Sequence, residues 1–283
     1  ITTQPVGGAS GAALATQPVV AIRDAHGNTV TSDNSTVVTV AIFSGSGGTL
    51  GSTVTKTAVS GVATFSGVTL AGTVGQNYVL RFTSSPTLTA VNSGNVTVSS
   101  GTATTIAVNG GNSQSATVGT AVATAPSVQV TDAQGNAVSG VSVTFAVASG
   151  GGSLASSSAV TTDSAGIATS PAWTLGTTAG ANTVTATSGS LRGSPVTFTA
   201  TGVAGAATQL AITTQPVGGA SGAALATQPV VVIRDAHGNT VTSDNSTVVT
   251  VAIFSGTGGT LGSTVTKTAV SGVATFSGVT LAG

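Results

Sequence analysis

Gly61-Val62-Ala63-Thr64-Phe65, running on to Leu70 and Gly75-Gln76-Asn77, decides the fold because versions of it occur three times. It returns as Gly166-Ile167-Ala168-Thr169 with Leu175 and Gly180-Ala181-Asn182, and again as Gly272-Val273-Ala274-Thr275 with Leu281. A repeat is read before any single element, because each unit then has to form its own supersecondary structure. Working outward, Ile1 to Gly72 recurs as Ile212 to Gly283, an offset of 211 residues, with only Ala21 becoming Val232 and Ser46 becoming Thr257. Within that period lies a second, divergent repeat. Asp24-Ala25-His26-Gly27-Asn28 answers to Asp132-Ala133-Gln134-Gly135-Asn136, and Gly47-Gly48-Thr49-Leu50 to Gly151-Gly152-Ser153-Leu154. The order is A, B, A, with modules of about 105 residues. We place them at 1–99, 102–202 and 206–283, the joints falling at Ser99-Ser100-Gly101 and Gly202 to Ala207.

Composition narrows the class. The 283 residues hold no Cys or Met and no Glu, six Asp, six Lys plus Arg and 4% charge in all. Ordinary domains carry about 25% charged residues, so this surface has to be mostly Thr, Ser, Asn, Gly and Ala. Disordered chains pair low hydrophobicity with high net charge, whereas here the mean hydropathy is +0.46 and the formal charge zero. Zero charge also argues against nucleic acid as a partner, since phosphates need Lys and Arg. It removes the repulsion that keeps copies of a chain apart, so self-association and head-to-tail assembly are expected. No apolar run reaches the roughly 18 residues of a membrane helix, so no membrane insertion is expected in this segment.

Alternating runs of Val, Thr and Ile, punctuated by Gly, Asn, Asp and Pro, predict short antiparallel strands throughout. In module A they fall near Ile1–Thr3, Pro18–Arg23, Thr36–Phe43, Ser52–Ala58, Val62–Leu70, Asn77–Thr83 and Ala90–Val98. In module B they fall near Thr104–Val108, Ser127–Thr131, Val141–Val147, Ala159–Thr162, Ile167–Leu175, Thr183–Thr187 and Pro195–Ala200. About seven strands in about 100 residues is the dimension of an immunoglobulin-type sandwich. The expected fold class is all-β, tandem sandwiches in a rod, with roughly 80 Å per period if each module is roughly 40 Å long.

No residue offers itself for catalysis, cofactor binding or metal ligation. Asp24 to Asn28 suits a tight turn, Asp accepting from following amides and Gly27 supplying positive φ. One Asp and one Asn without a bidentate Glu make a poor calcium cage. His26 and His237 are expected in solvent-facing turns, and module B has Gln134 there. Trp173 is expected in the core and Tyr78 half-buried on a strand. Lys56 and Lys267 could join an Asn only with a buried acid catalyst, and module B has Thr161 near that place. Asn34-Ser35-Thr36, Asn95-Val96-Thr97 and Asn245-Ser246-Thr247 match a glycosylation sequon, as chance alone produces in a chain this rich in Ser and Thr. The last module has no counterparts of Asn77–Thr83 and Ala90–Val98, so its sheet needs completing by further chain or by a neighbouring subunit.

Module B resembles bacterial immunoglobulin-like domains of the invasin and intimin type. The match lies on Val128 to Asn136, Val141 to Phe145, Thr161 to Thr169 and Trp173-Thr174-Leu175-Gly176. Module A is similar to looser relatives in large repetitive surface proteins, on Thr2-Thr3-Gln4-Pro5 and Ile22 to Val30. The resemblance implies a secreted or cell-surface chain acting as stalk, adhesin or fibre, and transfers no binding site. The leading expectation is a non-enzymatic extracellular rod or filament for surface assembly or adhesion. The alternatives are a carbohydrate- or receptor-binding adhesin module meeting surface glycans, and a phage particle decoration domain.

Overall fold

A computed structural model describes residues 1–283 as strands, turns and bends, with no helix. In the first A repeat, Thr55–Thr57, Val37–Ser44, Tyr78–Ser85 and Val91–Val96 form one antiparallel sheet in that order. Val19–Ala21 pairs with Val62–Thr64, and Thr49–Gly51 with Thr69–Ala71. The period-2 pattern explains how the layers close on each other. Val38 and Val40 turn inward from one strand, and Leu80 and Phe82 from its neighbour. They meet Val20, Ala63, Phe65 and Leu70 from the smaller pairs in a cluster of 15 buried residues. Phe65 and Phe82 meet edge to face, their centroids 5.8 Å apart.

The B repeat has the same plan with fuller sheets. One sheet runs Gln114–Thr117, Val196–Val203, Gly180–Thr187, Ser142–Ser149 and Val160–Thr161. The other runs Ile167–Thr169, Ser127–Thr131 and Thr105–Gly110. A separate cluster of 14 buried residues, including Trp173 and Leu175, lies within it. Tandem immunoglobulin-like β-sandwiches are therefore the fold class.

Several expected strands differ. The long ones at Val62–Leu70 and Ile167–Leu175 are each broken in two, as Val62–Thr64 with Thr69–Ala71 and Ile167–Thr169 with Trp173–Thr174. The first half of each pairs in one ladder and the second in another, and the buried face changes phase at the break, from Ala63 and Phe65 to Val68 and Leu70 and from Ala168 and Ser170 to Trp173 and Leu175. Gly67, at φ 78°, sits in the first break. Ile1–Thr3 is a single bridge from Thr3 to Val19 and not a full strand. Gln114–Thr117 and Thr49–Gly51 are strands that the sequence pattern does not predict. Gln114–Thr117 joins its sheet parallel to Val196–Val203, a long-range pairing with no local turn signal.

Tyr78 is fully buried instead of half-buried. Its hydroxyl accepts from the Thr73 N–H at 2.8 Å and reaches the Ser46 carbonyl at 3.3 Å. The ring fills a slot floored by glycines: a Cβ on Gly45, Gly48 or Gly72 would come within 2.7 Å of it. Tyr78→Phe is expected to cost the first repeat about 1 kcal/mol, the usual net worth of such a hydrogen bond. Denaturant unfolding of the first repeat checks this; an unchanged midpoint would contradict it.

The second A repeat tests how far sequence alone sets a strand. Val248–Thr250 is the only part of the Val37–Ser44 counterpart that is a strand. Phe254 is fully exposed and Ile253 40% exposed, and the apolar clusters shrink to five and three buried residues. The residues from Val248 to Ser255 are identical to Val37–Ser44, so the difference comes from the absent partner strand.

Candidate functional site: the joint between repeats

The five-residue turn that opens with Asp and ends with Asn is where one repeat meets the next. At Asp132–Asn136 the Asp carboxylate organises the loop from within. Oδ1 accepts the N–H groups of Gln134 and Asn136, each at 2.9 Å, and Oδ2 accepts the Asn136 side-chain amide at 2.9 Å. Gly135 supplies the positive φ of 81° and its N–H bonds the Asp132 carbonyl at 3.1 Å. These bonds fix Asn136 in one orientation, with its amide plane facing the repeat before it.

That amide pairs with backbone as another peptide group would. Asn136 Nδ2 donates to the Gly72 carbonyl at 2.9 Å, and Oδ1 accepts the Val74 N–H at 2.8 Å. The linker is held by the same turn, Gly101 N–H donating to Asp132 Oδ2 at 2.8 Å. Ser10, bonded both ways to Gly72, brings its hydroxyl 3.2 Å from Gln134 Oε1. Asp132 and Asn136 are only 3% and 6% exposed, while Ala133, Gln134 and Gly135 between them remain exposed, so the two ends of the turn form the contact and its tip stays at the surface.

The junction from B to the second A is built from the same parts. Asn239 Nδ2 donates to the Thr177 carbonyl and Asn239 Oδ1 accepts the Ala179 N–H, both at 2.8 Å. Gly205 N–H donates to Asp235 Oδ2 at 2.9 Å, and Asp235 is 1% exposed. His237 keeps an exposed ring on the rim, its Nε2 3.5 Å from where a Cβ on Gly119 would stand. His26 is exposed in the first turn, as expected. Two junctions thus share one geometry although the loops they grip, Gly72-Thr73-Val74 and Thr177-Thr178-Ala179, differ in sequence. This is possible because the gripped loops contribute only backbone groups to the Asn amide.

Asp163–Ile167 shows what turns such a loop into a joint. It has the same internal bonds, Asp163 Oδ1 accepting from Ala165 at 2.8 Å and Ile167 at 2.9 Å. Its fifth residue is Ile167 instead of Asn, and Asp163 is exposed. The distinguishing signal is therefore legible in the sequence, in the Asn four residues after the Asp, yet a single loop read by itself looks like any Asx turn.

The carboxylates face N–H donors at both oxygens, surroundings suited to an anion and not to a cation. Burial pushes the Asp132 and Asp235 carboxyls up, but the Asn side-chain amide, the linker glycine N–H and the turn's own N–H groups outweigh it and hold both below the ordinary 3.8. A lowered carboxylate contributes stability above the ordinary value and loses it as pH falls through the lowered one. The amide resonances of Gly101 and Gly205 are accordingly expected to titrate with midpoints below 3.8. Midpoints at or above that value would contradict the bonding described.

Trp173, as expected, and Tyr78 are both buried in the cores of their repeats, so neither offers an exposed ring for stacking. Lys56 lies on strand Thr55–Thr57 in register with Val38.

Among solved structures, the chain is similar to FdeC, described as a broadly conserved Escherichia coli adhesin, at 18% identity and TM-score 0.48, over 98% of this chain and 86% of that one. It is similar to InvD of Yersinia pseudotuberculosis at 19% identity and TM-score 0.39, over 82% and 69% of the two chains. Invasin, described as a bacterial integrin-binding protein, matches at 18% identity and TM-score 0.42, over 98% of this chain and 53% of that one. No protein-family model and no curated protein matches the chain.

Proposed function

We propose that the chain is a non-enzymatic structural element of a secreted or cell-surface protein. It is a stalk of modules 1–99, 102–202 and 206–283 that provides reach for surface assembly or adhesion. The observation that carries this reading is the repetition of one backbone-gripping clamp at both junctions. A flexible tether needs no such contact, whereas a stalk that transmits position from one end to the other does. The chemistry of the surface agrees: charged groups that could act as acid, base or nucleophile are scattered singly over turns and strand edges, while catalysis needs them within reach of each other.

Longer assemblies follow from repeating the same joint. Atomic force microscopy of a chain in which residues 1–211 are repeated in tandem tests the function. We expect straight particles that lengthen by roughly 80 Å for each period added. Coiled particles whose length grows as the square root of the number of periods would overturn the stalk reading. So would clear, competable binding of the 283-residue chain to a glycan array, which would make it a binding module instead.

A further inference from the structure

The chain has two lysines, Lys56 and Lys267, and they occupy the same place in the two A repeats. Lys56 is the middle residue of Thr55–Thr57, the end strand of the four-stranded sheet. It stands opposite Val38, which is 2% exposed, so its side chain leaves the strand on the core-facing side. Lys267 stands opposite Val249 in the same way. Both lysines are half-buried. A lysine so placed lays its aliphatic stem along the core and brings its ammonium out to water past the sheet edge.

That edge is regular and unpaired. Val40 N–H donates to the Val54 carbonyl and Ala58 N–H to the Thr36 carbonyl, on either side of Lys56. The alternate residues Thr55 and Thr57 therefore turn their N–H and C=O groups away from the sheet. Val37, Thr53 and Val59 line an open groove there together with Thr55, Lys56 and Thr57. An edge of this kind is a template for another strand. The B repeat meets the same hazard by brevity. Its end strand Val160–Thr161 has only two residues, and the place of Lys56, opposite the core residue Val143, is taken by the uncharged Val160. The longer edge carries the charge, and the shorter one does without it.

We propose that Lys56 and Lys267 close this edge to a second copy of the chain. In the antiparallel register that uses every outward group of Thr55 and Thr57, Lys56 falls directly opposite its own counterpart in the other copy. The two ammonium stems then form a non-hydrogen-bonded cross-strand pair, where side chains stand closest and like charges repel most. A two-residue shift sets Lys56 against Val54 or Ala58 of the other copy, again on the core-facing side, where its charge loses water and gains no partner. No strand of this chain supplies a carboxylate, since there is no Glu and all six Asp lie outside the strands. The exclusion thus acts against any strand of another copy. It matters in a chain whose zero net charge provides no general repulsion between molecules.

The test is sedimentation equilibrium of the 283-residue chain carrying Lys56→Val, combined with amide exchange at Thr55 and Thr57. Valine suits this position, as Val160 shows in the B repeat. Association is expected to tighten at least about tenfold over the unaltered chain. The Thr55 and Thr57 amides are expected to gain protection as concentration rises. Lys56→Thr, which adds no apolar surface, should do the same, and Lys56→Arg, which keeps the charge, should behave as the unaltered chain does. No tightening with either uncharged variant would overturn the proposal. Tightening that leaves the Thr55 and Thr57 amides unprotected would overturn it too, because the contact would then lie elsewhere. Equal tightening with Lys56→Arg would do so as well, by assigning the effect to side-chain shape instead of charge. These outcomes are independent of the stalk reading, since a bent or coiled chain carries the same edge.

Discussion

A chain extended beyond Gly283 by the sequence of residues 73–99 is expected to convert Val251 to Phe254 into strand and to raise the melting temperature of the last repeat by at least about 10 °C. The first repeat supplies the reason. Its Val37–Ser44 pairs along its whole length with Tyr78–Ser85, from Val37 opposite Ser85 to Ser44 opposite Val79. The added segment carries the counterparts of Tyr78, Leu80, Phe82 and Val96, each at most 2% exposed in the first repeat. Burying one such side chain is worth about 1.5–3 kcal/mol before the entropy of ordering the segment is subtracted. A net gain of only about 3 kcal/mol moves the melting point of a domain this size by about 12 °C or more. The glycines that receive Tyr78 have their counterparts ready: a Cβ on Gly256 would meet nothing within 4 Å, where one on Gly45 would stand 2.5 Å from the ring. Calorimetry resolves the outcome. An unchanged transition for the last repeat, with Phe254 still accessible to quenchers, would mean that the open face is the stable form of this repeat.

Asn136→Ala is expected to free the first repeat from the second without unfolding either. The change removes both bonds to Gly72 and Val74 and leaves Asp132 with one donor fewer in a nearly buried position. Breaking bonds so placed costs about 1–3 kcal/mol, mostly through groups left unpaired. The cores are untouched, since Asn136 lies outside both clusters. The expected signature is independent tumbling of the first repeat in NMR relaxation, with unfolding midpoints nearly unchanged. Asn239→Ala should do the same at the other junction. The control is Asp163→Ala, which disrupts an organised turn that grips no loop and should leave the tumbling unaltered.

Much of the fold is legible because antiparallel sandwiches write themselves in period 2. The pattern places Ser127–Thr131 with its observed bounds, and Val37–Ser44 and Ser142–Ser149 within one or two residues at each end. What the pattern does not carry is the identity of the partner. Val62 to Leu70 serves two ladders, and the slip of its buried positions from Ala63 and Phe65 to Val68 and Leu70 across Ser66-Gly67 marks the break without saying which strand each half joins. Identical residues at Val248 to Ser255 make a shorter strand than at Val37–Ser44 for the same reason. Tyr78 reads as half-buried because its neighbours on the strand give no sign of the slot that buries it. That slot comes from Gly45, Gly48 and Gly72, of which the first two are remote in sequence.

The joint is the least visible feature. Asp132 and Asn136 spell a turn whether or not anything docks on it, and the loops such turns grip contribute only backbone, which leaves no mark on side-chain choice. Asp and Asn recur at a spacing of four in all three modules, but turn chemistry explains that recurrence equally well. Only the contrast between the exposed Asp24–Asn28 and its covered counterparts separates the two roles.

Small-angle X-ray scattering of the 283-residue chain at neutral pH tests the central claim most directly. Three modules of roughly 40 Å held end to end predict a maximum dimension of about 120 Å, with a distance distribution characteristic of a rod. A maximum dimension below about 90 Å, or a distribution that matches modules rotating freely and is unaltered by Asn136→Ala with Asn239→Ala, would contradict it.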